Sequence, residues 1–366
     1  MSTLRPGRGR AIAVAGVLLI GLALASGGVV ILRHQFNGAR AGARSTPPVS
    51  PVVSPVVSPP GNSQTGSVAG CPTGQLVTSA DDLTAALAAA SPGAVIVLQP
   101  GTYSGHFVAA ISGTAAAPIT LCGGREAVLD GGAVKSNYTM YLKSVDYWSL
   151  IGFTVQGGQK GVVADHVHHS LIKNLYVHDI GDEAIHLREF STDNTVDGNT
   201  IRKTGLNKSF YGEGIYIGTA HSNWCTYTSC RPDNSDRNII INNDISETTA
   251  ENIDIKEGTT GGVIENNHLS GVGMVRSAAT AWVNVKGNSW TLAGNVGQNS
   301  IKDGFQVHQV YAGWGQSNVF RSNRAEVDGP GYGYYVQSLS LATVVACDNV
   351  AISAGSGLSN VSCRGL

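Results

Sequence analysis

Side chains that can transfer protons or bind cations recur in short stretches of alternating apolar and polar residues. A clear example is Glu-Asn-Ile-Asp-Ile-Lys at positions 251–256, where Ile253 and Ile255 alternate with Asp254 and Lys256. A period of two residues is typical of a half-buried strand, which places its polar residues on the outer face. We therefore expect any reaction to take place on that face, with carboxylate, imidazole, phenol and amine groups taking part.

Similar stretches occur before and after this one, and their polar residues would form columns if the strands stack in parallel. With strands aligned at positions 185, 215, 253, 275, 305 and 334, the first column is His186, Tyr216, Asp254, Arg276, Gln306 and Tyr335. The second column is Arg188, Gly218, Lys256, Ala278, His308 and Gln337. The turns before the strands contribute Glu183, Glu213, Glu251 and Asp303. Because neighbouring strands are about 4.8 Å apart, groups from three strands could surround one substrate molecule. A plain solvated face is the alternative.

A repeating coil is predicted to position these strands. The motif apolar-x-x-Asn-x-apolar begins at Val196, Ile240, Ile264, Val285 and Phe320, with weaker copies at Leu150, Ile172 and Val345. Successive starts are 22, 24, 44, 24, 21, 35 and 25 residues apart, so the two longest steps contain inserted loops, chiefly residues 204–237. A β-propeller would need repeats of about 40–45 residues. One such coil cannot bury its apolar face alone, whereas stacked coils form a continuous core.

The repeat predicts an all-β fold, a single-stranded right-handed parallel β-helix, or solenoid. The asparagines of the motif would occupy turns with a left-handed backbone and form a ladder of hydrogen bonds. They are Asn199, Asn243, Asn267, Asn288 and Asn323. An N-terminal helix over residues 79–90 would cap the first coil, with Ser79 as its N-cap and with Leu83 and Leu87 on one face.

The chain before the solenoid is predicted to contain three segments. Residues 1–10 are basic, and residues 11–32 carry no charge and are long enough to span a bilayer as a helix. A cleaved signal peptide is the alternative for that apolar stretch, because Ala23-Leu24-Ala25 resembles a cleavage site. Residues 33–70 form a linker rich in proline and serine, followed by the β-helix domain, residues 71–366. We expect this domain to be extracellular, either tethered to the membrane or secreted after cleavage.

Charge and cysteine content indicate which partners the domain can bind and whether it is exported. Six of the 24 Lys and Arg residues lie in the first 44 positions, so residues 71–366 hold 18 basic and 25 acidic side chains. An acidic domain lacks the basic surface that nucleic-acid binding requires, so no nucleic-acid partner is expected. All six cysteines fall within the domain, which is typical of exported proteins with disulfides. The pairings we expect, out of fifteen, are Cys71–Cys122, Cys225–Cys230 and Cys347–Cys363.

Three stretches near the start of the domain resemble the opening of pectate-lyase-like β-helix proteins. They are Ala-Ala-Ser-Pro-Gly-Ala-Val-Ile-Val-Leu-Gln-Pro-Gly-Thr-Tyr at 89–103, Ala-Pro-Ile-Thr-Leu at 117–121 and Ala-Val-Leu-Asp-Gly-Gly at 127–132. The resemblance extends over essentially all of residues 71–366 and implies the parallel β-helix fold.

Within that superfamily, three further stretches are similar to the lysine and arginine motifs of the chondroitinase B and alginate lyase group. They are residues 251–256, 265–267 and 273–276. The resemblance implies that Lys256 is the base that removes the proton next to a uronate carboxylate. It also implies that Arg276 stabilises charge or protonates the leaving oxygen, and that Glu251 binds calcium, the candidate cofactor.

The chain departs from that group at two places. Thr249 stands where the group has a second carboxylate, and Ser277-Ala278 stands where its arginine is followed by His-Gly. Glu213 or Asp254 would have to supply the missing oxygen ligand for calcium, which prefers hard oxygen donors.

The remaining polar residues of the columns complete the predicted site. Residues expected to take part in catalysis beside Lys256 and Arg276 are Asp254, His186 and Arg188. Residues expected to bind substrate are Glu213, Tyr216, Gln306, His308 and Trp224. A free lysine has a pKa of about 10.4. The neighbouring arginines would lower the pKa of Lys256 and the neighbouring carboxylates would raise it, and the sequence leaves this balance open.

Together these features predict a monomeric, exported lyase that cleaves an acidic, uronate-containing polysaccharide by β-elimination. Two alternatives remain. Paired carboxylates about 5–9.5 Å apart could instead hydrolyse a glycosidic bond. A solenoid attached to a cell surface could also bind glycans without catalysis.

Overall fold

The computed structural model describes residues 64–365, which form about ten turns of a right-handed parallel β-helix. Each turn contributes one strand to each of three sheets, and strands of successive turns are neighbours in each sheet. The fold predicted from the repeat spacing is confirmed. The predicted segments 1–10 and 11–32, and most of the linker, lie outside the described residues. Between residues 64 and 365, no helix is long and apolar enough to cross a membrane.

Three sheets form the walls of the solenoid, and all of their strand pairs are parallel except the first pair of sheet A. Sheet A consists of Thr65–Gly66, Gly74–Val77, Val95–Leu98, Ile119–Gly123, Trp148–Ile151, Leu171–Lys173, Thr195–Asp197, Ile239–Ile241, Val263–Glu265, Thr291–Ala293, Val319–Arg321 and Val344–Val345. Sheet B consists of Gly101–Ser104, Ala127–Asp130, Thr154–Gln156, Tyr176–His178, Thr200–Arg202, Asp244–Ile245, His268–Ser270, Val296–Gln298, Arg324–Gly329 and Val350–Ala354. Sheet C consists of Phe107–Ala109, Tyr138–Lys143, Lys160–Asp165, Ile185–Arg188, Ile215–Ile217, Ile253–Ile255, Val283–Val285, Phe305–Val307, Tyr332–Val336 and Gly357–Ser359.

Apolar side chains from the three sheets stack inside the solenoid. Ile172, Val196, Ile240, Ile264 and Leu292 occupy the same position on successive strands of sheet A, and each is almost completely buried. Burying a side chain of this size contributes about 1.5–3 kcal/mol. Because every turn covers the apolar face of the one before it, the core is continuous along the stack.

A ladder of buried asparagines follows sheet A. Its members are Asn199, Asn243, Asn267, Asn295, Asn323 and Asn349. The side-chain N–H of each of the first five donates to the side-chain oxygen of the next, at 2.9 Å. The backbone N–H of each also donates to that same oxygen. A buried amide is costly unless it is hydrogen-bonded, so the ladder fixes the stacking of the turns.

The sequence prediction for this ladder was wrong in two details. Asn288 lies outside it, because the motif that begins at Val285 falls at the end of a sheet C strand and the sheet A strand of that turn is Thr291–Ala293. The ladder asparagines also lack the left-handed backbone that we expected. That conformation belongs to the residue before each of the first five, for example Asn242 with φ 58° and Gly294 with φ 63°.

The other local elements agree with the sequence patterns. Helix α1, Ala80–Ala88, has Ser79 as its N-cap, whose hydroxyl oxygen accepts a hydrogen bond from the backbone N–H of Asp82 at 3.1 Å. Leu83 and Leu87 are buried in the core. The three expected disulfides, Cys71–Cys122, Cys225–Cys230 and Cys347–Cys363, are all present. The inserted segment after Ile215–Ile217 carries the short helix α2, Trp224–Tyr227, and the 3₁₀ turns are Ser209–Tyr211, His221–Asn223 and Leu339–Leu341.

Candidate active site

The outer face of sheet C carries most of the first predicted column. His186, Tyr216 and Asp254 are side by side on three successive turns, because their strands pair in register. Gln306 and Tyr335 continue the column two and three turns further on. The stacking therefore brings residues from distant parts of the chain onto one surface.

Arg276 does not belong to this column. The strand that follows Ile253–Ile255 in sheet C is Val283–Val285, so Asn284 occupies the position that our alignment gave to Arg276. The alignment was wrong because the segment beginning at Val275 forms hydrogen-bonded turns and pairs with no strand. Arg276 is exposed in this segment, and its guanidinium group donates a hydrogen bond to a backbone carbonyl at 3.3 Å.

The correct register reveals a lysine that the sequence analysis missed. Lys286 follows Val283–Val285 as Lys256 follows Ile253–Ile255, so the two lysines are neighbours in the second column. The signal was present in the sequence, since Val-Asn-Val-Lys at 283–286 repeats the alternation of Ile-Asp-Ile-Lys. A one-dimensional pattern could not decide which of two alternating stretches formed the strand.

At the centre of the face lies a buried network of carboxylates and lysines. One oxygen of Asp254 accepts a hydrogen bond from Lys256 Nζ at 2.6 Å, and the other accepts one from Lys286 Nζ. Asp254 is 1% exposed. Carboxylate oxygens of Glu213, Glu251 and Asp254 lie within 4.8 Å of one another. One oxygen of Glu213 is buried and has no hydrogen-bond partner.

Burial and mutual repulsion determine the charges in this network. Burial raises the pKa of Glu213 well above its ordinary value, and the charges of neighbouring carboxylates add to the effect. Burial and the charge of Asp254 also raise the pKa of Glu251. For Asp254, burial acts to raise the pKa, but the two lysines outweigh it and lower the pKa. Asp254 is therefore the permanent anion of the network.

Lys256 links the network to Tyr216. Its Nζ atom lies 4.7 Å from the centroid of the Tyr216 ring. Burial acts to lower the pKa of Lys256, but Asp254 leads a group of neighbours that raise it well above the ordinary value. Burial likewise raises the pKa of the Tyr216 hydroxyl. Before a substrate binds, the pair therefore consists of an ammonium group and a neutral phenol.

His186 lies on the other side of Tyr216. The two rings are in contact, with centroids 4.3 Å apart. The Nε2 atom of His186 donates to the Gly218 carbonyl at 3.0 Å, which leaves Nδ1 as the unprotonated nitrogen, 3.6 Å from a Glu183 oxygen. Burial lowers the pKa of His186, and Lys160 and Arg188 lower it further, so the ring is neutral at pH 7.

Arg188 forms one wall of the site. Its guanidinium group donates two hydrogen bonds to Asp165, at 2.7 and 3.1 Å, and a third to the Tyr138 hydroxyl at 3.0 Å. It also lies 4.4 Å from the centroid of the Tyr227 ring in the inserted segment. The hydrogen bonds use most of the N–H donors of Arg188. The contact with Tyr227 connects sheet C to the inserted segment.

A cleft of about 340 Å³ opens above these residues. Its lining includes Lys160, Glu183, His186, Arg188, Tyr211 and Tyr216. Lys160 pairs with Glu183 at its floor, while Lys208 and Tyr211, in the loop before Ile215–Ile217, are exposed at its edge. A larger cavity of about 530 Å³ lies on sheet B, but it contains none of the residues of the buried network. The cleft on sheet C is therefore the candidate active site.

The other residues predicted to bind substrate have structural partners. Trp224 is buried, and its indole N–H donates to the Thr219 carbonyl at 2.8 Å, so it does not offer a free face for stacking. The amide nitrogen of Gln306 donates to Asp303 at 2.7 Å. His308 is half-buried and hydrogen-bonds to Asn284 at 2.8 Å. The prediction that Trp224 stacks on substrate was wrong, because the ring instead anchors the insertion.

Comparison with solved structures identifies the family. The crystal structure of an alginate lyase from Paenibacillus sp. str. FPU-7 is 36% identical to this chain, with a TM-score of 0.73. The match covers 78% of this chain and 97% of that lyase. The chain belongs to the polysaccharide lyases of the pectate-lyase-like β-helix superfamily.

More distant structures share the fold of this lyase. Pectate lyase Pel9A is 19% identical with a TM-score of 0.56, over 76% of this chain and 72% of that one. PfbA, a surface adhesin of Streptococcus pneumoniae, is 14% identical with a TM-score of 0.55, over 74% of this chain and 72% of that one. At these identities the likeness concerns the fold alone. No family model and no curated protein matches the chain.

Calcium was the cofactor suggested by the sequence resemblance, and the lyase does contain a buried acidic cluster of the right chemical type. Both oxygens of Asp254 are nevertheless occupied by ammonium groups. Glu251 accepts a hydrogen bond from Asn284 at 3.1 Å, and burial favours a protonated Glu213. This arrangement balances the carboxylate charge with lysines and does not fit a resident divalent cation.

Proposed function

We propose that the lyase cleaves an acidic, uronate-containing polysaccharide by β-elimination in the cleft on sheet C. The observation that carries the proposal is the contact of Lys256 with Tyr216 beside a cleft that can hold a sugar. The 36% identity to an alginate lyase supports it and makes alginate the first substrate to test.

In this proposal Lys256 and Tyr216 form the proton-transfer pair. Lys256 Nζ, as the free amine, removes the C5 proton of a uronate. The C–H electron pair forms the C4–C5 double bond, the C4–O4 bond breaks, and the Tyr216 hydroxyl gives its proton to O4. Lys256 then returns a proton to the Tyr216 phenolate, which is supported by the short distance between the two side chains.

The raised pKa of Lys256 limits the fraction of free amine but makes that amine a stronger base. A proton next to a carboxylate is only weakly acidic, so a strong base and nearby positive charge both favour its removal. Asp254 and Lys286 fix the position of Lys256 without reaching the cleft themselves, because both are buried.

The edge of the cleft suits an acidic sugar chain. Lys208 is exposed there, and its Nζ lies 5.5 Å from the centroid of the exposed Tyr211 ring. A cation beside an aromatic ring can bind a uronate carboxylate while the ring contacts the sugar. Arg276 lies outside the strand column, so the proposal gives it no proton-transfer role.

The proposal gives calcium no role, because the two lysines already neutralise the charge of Asp254.

Hydrolysis by paired carboxylates is disfavoured as well. Glu213, Glu251 and Asp254 are at most 7% exposed and belong to the buried network, and Glu183, which lines the cleft, is paired with Lys160. The three disulfides support export to an oxidising compartment. Whether residues 11–32 anchor or release the domain is a separate proposal outside the described residues.

Ultraviolet absorbance of unsaturated products tests the proposed function. The full chain is incubated with alginate, pectate and glycosaminoglycans. We expect absorbance to rise on at least one of them, and Tyr216→Phe to lower the rate by about 10²–10⁴-fold, as for loss of a general acid. Tyr335→Phe, in the same column three turns away, is the matched control and should retain activity. New reducing ends without absorbance would instead indicate hydrolysis, and glycan binding without cleavage would indicate a binding module.

A further inference from the structure

Lys286 is a buried charge of the site that takes no part in the proposed proton transfer. It is 7% exposed, and its Nζ atom donates a hydrogen bond to the Asp254 oxygen that Lys256 does not hold. Its position is fixed by strand pairing, because Val285 pairs with Ile255 and Val307 on the adjacent turns. A lysine is rarely buried unless it is paired, so this placement calls for a specific reason.

We infer that Lys286 is a built-in cation that occupies the place of a divalent metal ion at Asp254, so that the lyase works without one. The inference deepens the proposed function and rests on it only where activity is measured. Lys286 is a positioning residue, because it acts through Asp254 on Lys256 and does not touch the substrate.

The first argument is geometric. Calcium binds carboxylate oxygens at about 2.3–2.6 Å. An ion at that distance from either Asp254 oxygen would lie against one of the two ammonium groups. Two cations in such close contact inside a buried site repel each other strongly. A metal ion could therefore bind only after Lys286 or Lys256 had moved away.

The second argument is the supply of oxygen ligands. Asp254, Glu251 and Glu213 already place carboxylate oxygens within 4.8 Å of one another, around the ammonium groups. One Glu213 oxygen has no partner, so the cluster retains unused ligand capacity. Removal of the Lys286 ammonium should leave a pocket of hard oxygen donors with one cation fewer, and hard oxygen donors are the ligands that calcium prefers.

A third argument comes from the role of Lys256. A base must be able to leave its counter-ion, and Asp254 would hold Lys256 more firmly if it were its sole partner. Lys286 keeps the second oxygen of Asp254 satisfied throughout. The buried aspartate is therefore never left unpaired when Lys256 reacts, which would otherwise be costly.

The test compares metal binding by the full chain and its variants after treatment with EDTA and dialysis. Isothermal titration calorimetry and thermal unfolding are carried out with calcium and with manganese chloride. We expect wild type to bind neither ion specifically and Lys286→Ala to bind one ion per chain, at least tenfold more tightly than wild type. Ligand binding should also raise the unfolding temperature of the variant alone. Lys302→Ala is the matched control, because Lys302 pairs with Asp303 at 3.2 Å but is about half exposed.

Activity gives a second readout. EDTA should leave the wild-type rate unchanged, whereas Lys286→Ala should lose most activity in EDTA and recover at least tenfold with calcium. Rescue by a metal is an effect that a merely structural lysine would not produce. If wild type cleaves none of the polysaccharides, the calorimetry still decides the inference, so the two failures are distinguishable.

Two results would overturn the inference. One is a wild-type protein that holds one equivalent of divalent cation by elemental analysis and loses it in Glu251→Gln. The other is the absence of any gained metal binding when Lys286 is replaced. Should Lys286→Ala fail to fold, Lys286→Gln keeps a polar side chain at the position and takes its place in both measurements.

Discussion

At the residue scale, the site depends on charges that are buried together. Asp254 keeps its negative charge because two lysines outweigh the effect of burial on its pKa. Glu213 and Glu251 have the opposite response, since their pKa values are raised first by burial and then by neighbouring carboxylates. Carboxyl groups within 4.8 Å of one another thus take different charge states. No sequence pattern contains this information, because it depends on burial and on contacts between turns.

His308 gives a prediction about stability and pH. Burial lowers the pKa of His308 to about 4, and the Lys286 charge adds to the effect. A free histidine has a pKa of about 6.5, so between these values the unfolded chain binds a proton that the folded protein excludes. The contribution to stability is present above pH 6.5 and is lost as pH falls towards 4. The loss amounts to at most roughly 3 kcal/mol.

Urea unfolding at pH 7 and at pH 4.5 checks this prediction. His308→Gln should keep a hydrogen-bonding side chain next to Asn284 and should lose less stability than wild type over this range. His166→Gln is the control for the loss of a histidine side chain, because His166 is about half exposed. An equal pH dependence in wild type and His308→Gln would refute the explanation.

At the element scale, the asparagine ladder is the feature that sets the register of the turns. Asn295 is completely buried, and its side chain bonds to Asn323, to Asn267 and to the Ile264 carbonyl. Asn295→Ala should leave these groups without partners and lower the free energy of unfolding by about 1–3 kcal/mol per group.

Asn288 is the natural comparison, since the sequence motif selected it for the same ladder. It is only half-buried and bonds to Gly313 and Gln316 in a surface turn. Asn288→Ala should cost less than Asn295→Ala, and denaturant unfolding of both variants measures the difference. A larger loss for the Asn288 variant would mean that the ladder is not the stabilising element.

Local elements were predictable where one physical rule governed them. The cap at Ser79 and the strand Val95–Leu98 both follow from short patterns. The register around Arg276 failed because an alternating stretch can form either a strand or a series of turns. We also propose that α1 covers the first turn of the solenoid, as its buried Leu83 and Leu87 suggest.

At the scale of the whole molecule, the solenoid converts long sequence separations into short distances. Tyr138 and Arg188 are 50 positions apart, yet their side chains are joined by a hydrogen bond of 3.0 Å on sheet C. The repeat spacing was sufficient to predict this architecture, and pairing each cysteine with its neighbour in the sequence predicted the three disulfides. The spacing was insufficient to predict that Lys286 shares Asp254 with Lys256. An inserted loop places the strand of that turn at position 283, eight residues later in the sequence than the position 275 of our alignment.

The central claim is that Lys256 is the base of a β-elimination, and the masses of the products test it most directly. Elimination gives oligosaccharides that are lighter by one water molecule than those of hydrolysis. With alginate, we predict such products from wild type and none from Lys256→Ala. Lys256→Arg should also be inactive, because a guanidinium group retains the charge but cannot give up its proton. Products of hydrolytic mass, or unsaturated products from Lys256→Arg at the wild-type rate, would contradict the account.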